Sequence, residues 1–128
     1  MTNRLLAISA IVFASSALVA QIQTGQWVIH QNIGGSESDQ PCKFVVAGNK
    51  IIGSCNGQGR DLAVTGSIDE KKVIWQYQVE KDGIQLTLVY TGILDGSGGI
   101  SGTVEVQPYG VMVGSFTAAP APAPPPSK

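Results

Sequence analysis

The chain has 128 residues, with 8 Lys and Arg against 9 Asp and Glu, one His, two Cys, 16 Gly and 7 Pro. A formal net charge of −1 leaves no clustered basic face of the kind nucleic acid requires, and the length allows one domain. Hydrophobic residues make up 43% and charged residues 13%, the balance of a chain that folds rather than a disordered one.

Residues 1–20 carry the marks of a secretory signal peptide. Arg4 precedes an apolar run from Leu5 to Ala14, and small residues follow through Ala20. The apolar run is shorter than the roughly 20 residues that span a bilayer. Cleavage is therefore expected after Ala20, or at the tidier small-x-small site Ser15-x-Ala17. The expected location of the mature protein is the periplasm or the cell exterior, with no membrane span once the signal is removed.

All 16 glycines fall within 21–117, the expected folded domain. Between them lie β-branched and aromatic runs of strand length, and no stretch holds a helical period for three turns. Eight strands are predicted, at 26–31, 42–47, 50–55, 60–68, 72–80, 84–92, 99–107 and 111–117. A short repeat runs through them: Gly53-Ser54-Cys55, Gly66-Ser67-Ile68, Gly102-Thr103-Val104 and Gly114-Ser115-Phe116. Glycine inside strands marks bends or close backbone approach, as in a small curved barrel. Segment 31–41 reads as the longest polar loop, a place where recognition residues are commonly carried. Residues 118–128 hold five of the seven prolines and are expected to form an extended, disordered tail outside the sheet.

Two hairpins have a predictable register. Asp82-Gly83 suits a two-residue type I′ turn, which needs positive φ at both centres. That turn sets Val79 opposite Leu86, Tyr77 opposite Leu88, Trp75 opposite Tyr90 and Val73 opposite Gly92, all on one face. Gln76, Gln78, Glu80, Gln85 and Thr87 take the other face. A slip of one residue would set the apolar face against the polar one.

The second turn is Gly48-Asn49. It brings Cys42 opposite Cys55 at a non-hydrogen-bonded pair, where Cα atoms approach to about 4.5 Å, within disulfide range. A bridge is expected in an exported protein with two cysteines. Sequential strands and short turns together predict an all-β fold, an eight-stranded antiparallel up-and-down barrel, soluble and closed or nearly closed. Its polar outward face is the reverse of a transmembrane barrel.

Little in the chain points to catalysis. His30 is the only histidine, and alternation from Trp27 and Ile29 places it on the outer face. The acids fall mainly at turns or outward positions, where Asp bonds nearby backbone. No His, Cys and acid cluster has metal-ligand spacing, so no enzyme activity, metal or cofactor is expected. Binding remains. Trp27, Trp75, Tyr77 and Tyr90, with Phe44, are candidates to line a ligand cavity inside the barrel or at its mouth. The same residues could instead simply fill the interior, as side chains do in small barrels.

Gly25-Gln26-Trp27 at the first strand resembles the G-x-W start of secreted bacterial barrels of the calycin type. With Gly35-Ser36 and Trp75, the chain is similar to avidin-type barrels, a resemblance that implies a small ligand held inside. Gly25-Gln26-Trp27 followed by Cys42-Lys43-Phe44-Val45-Val46 and Cys55 also resembles periplasmic metalloprotease inhibitors. That likeness implies a protein partner, met by the segment before the barrel, here Gln21 to Gly25. The expected function is an exported, non-enzymatic binding protein, with a small apolar ligand in the barrel preferred. A protein-binding module of the inhibitor kind and a structural envelope protein are the alternatives.

Overall fold

In a computed structural model, described over residues 22–122, the Asp82-Gly83 turn has φ of 53° and 77°, the doubly positive conformation of a type I′ hairpin. It joins two strands whose register sets Trp75 against Tyr90, Tyr77 against Leu88 and Val79 against Leu86, as the alternation of apolar residues requires. Eight strands follow one another: β1 Gly25–Ile33, β2 Ser36–Ala47, β3 Lys50–Gly57, β4 Arg60–Asp69, β5 Lys72–Lys81, β6 Ile84–Leu94, β7 Ile100–Gln107 and β8 Val111–Pro120. Each pairs antiparallel with the next, and β8 returns to β1, closing the barrel. No helix among the described residues is long and apolar enough to cross a membrane. The expected signal peptide, 1–20, lies outside the described residues.

Cys42 and Cys55 face each other in the β2–β3 register. They form a disulfide across a Cα separation of 4.0 Å, the close approach of a non-hydrogen-bonded pair. Phe44 and Ile51, on the cysteine face, are buried.

The Gly-hydroxyl-apolar repeat has a steric origin. A Cβ at Gly102 would stand 1.9 Å from the carbonyl oxygen of Thr91, and one at Gly114 would stand 1.9 Å from that of Asn32. Gly53 and Gly66 meet the carbonyls of Lys43 and Ile74 in the same way. At each of the four, the neighbouring strand coils across the inner wall so closely that only hydrogen fits. The hydroxyl residue that follows points outward.

Most strand ends fall within one or two residues of expectation, and two differ by more. Segment 31–41 is not a loop: β1 continues to Ile33, turns at Gly34-Gly35, and β2 begins at Ser36. Its inward positions are filled by Gln31 and Gln40, both buried, so the segment lacks the apolar alternation that reveals a strand. The strand β8 also runs to Pro120, three residues into the expected tail. Ala118 is buried and pairs with Ile29, while Pro120 pairs with Trp27. A proline ending a strand costs the ladder little, and small Ala118 suits the crowded closure seam. Residues 123–128 lie outside the described residues.

Candidate functional site

The four nominated aromatics converge on the barrel axis. Trp27 comes from β1, Trp75 and Tyr77 from β5, and Tyr90 from β6. Trp75 stacks on Tyr90 at 5.3 Å with an interplanar angle of 9°, and Tyr77 lies 5.6 Å from Tyr90. Phe44 bridges Trp27 at 5.8 Å and Trp75 at 5.2 Å. Phe116 meets Trp75 and Tyr90 edge-on at 5.0 and 5.3 Å. Trp75 and Tyr90 are 0% exposed. Trp75, Tyr77 and Tyr90 pack on one another, Trp27 joins them through Phe44, and all four are buried inside the barrel.

Above the stack, towards the rim that carries the β1–β2, β3–β4, β5–β6 and β7–β8 turns, runs a polar relay. Gln40 Nε2 donates to the Asn56 carbonyl at 3.0 Å and to Tyr77 Oη at 3.2 Å. Tyr90 Oη donates to Gln31 Oε1. A phenol has one proton, so Tyr77 supplies the proton of the 2.7 Å Tyr77–Tyr90 bond. Burial raises the pKa of Tyr77 and of Tyr90 above the ordinary tyrosine value, and both remain neutral phenols. By contrast the Trp75 Nε1–H is buried with no hydrogen-bond partner, while Trp27 Nε1 donates to the Gln23 carbonyl at 2.8 Å.

Gln31 and Gln40 belong to segment 31–41, whose polar composition reads as a loop. Extending the alternation of Trp27 and Ile29 by one step would have put Gln31 inside.

The rim opens outward on both sides of the β3–β4 hairpin. Pairing of β2 with β3 ends at Cys42–Cys55, because Pro41 has no N–H for the next bond. The Gln40 side chain takes the free Asn56 carbonyl instead. Pairing of β4 with β5 ends at Thr65–Gln76, although both strands run on to the rim. Between Arg60–Val64 and Tyr77–Lys81 the strands part around a cleft of about 420 Å³. Tyr77, alone of the four nominated residues, reaches its wall, beside Leu62, Val79 and the outward Gln78. Elsewhere on the same rim the β7–β8 tip exposes Tyr109, Val111 and Met112.

His30 lies on the outer wall, exposed as expected. Its Nδ1 is 2.6 Å from Asp39 and its Nε2 is 3.8 Å from Glu37. The Asp39 hydrogen bond raises its pKa; desolvation opposes it, and the charges of Asp39 and Glu37 add to the rise. Both ring nitrogens therefore meet carboxylates, an arrangement that holds a cation rather than activating a hydroxyl. Among the described residues no cluster of three His, Cys or acidic side chains could hold a metal.

The segment before β1 is tied down. Ile22 is buried with the core, and Thr24 Oγ1 accepts from Val46 N at 2.9 Å. Comparison with known proteins finds no family model that matches the chain and no matching curated protein.

Proposed function

We propose that the protein is an exported, non-enzymatic barrel of the calycin type that binds a protein partner on the outside of its wall. The observation that carries this reading is the interlocked aromatic interior, in which Trp27, Phe44, Trp75, Tyr90 and Phe116 touch one another where a hollow barrel would hold its ligand. The β4–β5 cleft, in contrast, faces outward. Export is supported by the disulfide, a feature of oxidising compartments, together with the signal-like leader. Burial of Ile22 and bonding of Gln23 and Thr24 favour the cleft over the N-terminal segment as the meeting surface.

The test is titration of the purified protein with long-chain fatty acids and an anilinonaphthalene dye, followed by tryptophan emission and native mass spectrometry. An unchanged emission of Trp27 and Trp75 and a ligand-free mass are expected. Stoichiometric uptake with a shifted tryptophan emission would place the ligand inside and overturn the reading.

A further inference from the structure

Backbone direction along β4 and β5 can be followed from their outer partners. In a two-residue hairpin the pair beside the turn is hydrogen-bonded, and the types alternate outward. Lys81 therefore bonds Ile84 of β6, and Glu80, Gln78 and Gln76 turn their N–H and C=O groups towards β4. By the same count from the Gly57–Arg60 pair, Asp61, Ala63 and Thr65 turn theirs towards β5. Thr65 and Gln76 satisfy each other. Beyond them, Ala63, Asp61 and Gln78 face the cleft, where no described strand pairs with them.

Glu80 is the informative exception. Its N–H and C=O are engaged by one side-chain amide: Gln58 Nε2 donates to the Glu80 carbonyl at 2.8 Å, and Gln58 Oε1 faces the Glu80 N–H at 3.4 Å. A carboxamide is the side-chain counterpart of a peptide group. One amide thus already sits on the β5 edge with the two-bond pattern of a neighbouring strand.

We propose, resting on the outer-surface reading above, that the cleft binds an extended polypeptide segment of the partner by strand addition to β5. One guest residue exchanges both backbone bonds with Gln78, and the residue two along takes Glu80 as Gln58 swings away. Ala63 and Asp61 form the opposite bank. The intervening guest side chain points inward onto Leu62, Tyr77 and Val79, which selects an apolar residue flanked by polar ones. Main-chain bonds supply affinity in this mode, and the alternate side chain supplies selectivity.

The experiment selects binders from a library of capped hexapeptides and maps them by amide hydrogen exchange and NMR shifts on the full folded protein. Binders that protect Gln78 and Glu80 and lose binding when the pairing amides are N-methylated are expected. Gln58→Ala should tighten them about fivefold, because the Gln58 amide, with its short bond to the Glu80 carbonyl and its longer one from the Glu80 N–H, no longer competes for that edge. Gln78→Pro should abolish binding while sparing the ladder to β6, since the lost N–H faces the cleft. Should that variant fail to fold, the N-methylated peptides carry the same decision.

Binders that map to the Tyr109–Met112 tip would overturn strand addition and leave the outer-surface reading standing. Failure to select any binder would overturn strand addition. An apolar ligand found inside the barrel would overturn both.

Discussion

Tyr90 stands at the junction of the aromatic stack and the polar relay. Tyr90→Phe keeps the ring contacts with Trp75 and Phe116 but leaves Gln31 Oε1 without its donor and Tyr77 without its acceptor. A loss of about 1–3 kcal/mol is expected, read as a lower urea midpoint with an unchanged slope. The two phenols also set an alkaline limit. Their folded pKa values lie above the unfolded value near 10, so below pH 10 their contribution to stability is complete. As pH rises beyond 10 the unfolded chain gives up protons that the native barrel holds, and stability falls. Spectrophotometric titration should therefore show their ionisation coinciding with loss of the near-ultraviolet dichroism.

His30 behaves in the opposite sense. Its raised pKa gives a stabilisation that is full below the unfolded value and lost as pH rises through the folded one. Asp39→Asn, which removes the main cause, should lower the His30 midpoint in an NMR titration. An unmoved midpoint would mean that the Asp39 contact is not made in solution.

At the level of strands, the glycine repeat makes the sharpest distinction. Gly102→Ala would drive a Cβ against the Thr91 carbonyl and the Gly92 Cα at 1.9 and 2.5 Å. Backbone atoms on both sides cannot yield, and a cost of about 3 kcal/mol is expected. Gly96→Ala, in the β6–β7 loop, meets nothing within 4 Å and should melt almost as the parent does.

The same repeat was legible in the chain because an inward glycine, an outward hydroxyl and an inward apolar residue follow the pleat. The two hairpins were legible for a related reason: a two-residue turn and a strictly alternating face permit one register. Segment 31–41 was not, since Gln31 and Gln40 satisfy each other through tyrosines on β5 and β6. Such partners, distant in sequence, leave no local pattern. Reduction of the disulfide, or replacement of both Cys42 and Cys55 by alanine, should remove about 3 kcal/mol through the freed unfolded loop, in either case leaving the barrel register intact.

Across the whole molecule, closure and function make opposing demands on the wall. A closed barrel removes edges that would otherwise pair with foreign chains, and here closure holds from the base up to Thr65–Gln76. Above that level the β3–β4 hairpin parts from both neighbours, tied by the amides of Gln40 and Gln58 where ladder bonds would run. The candidate aromatics were readable from composition and face, but their packing against one another was not, because alternation shows which side chains turn inward and not whether space is left between them. Nor could the cleft be read from the chain. The lengths of β4 and β5 match, and nothing in their alternation marks Thr65–Gln76 as the pair beyond which they part.

Residue-resolved amide hydrogen exchange of the free protein measures that parting without any ligand. The amides of Ala63 and Gln78 should exchange close to the unprotected rate, while those of Thr65 and Gln76, two residues away on the same strands, should be slower by at least about a thousandfold. Equal protection at all four positions would show a wall zipped to the rim and would contradict the outward-facing site.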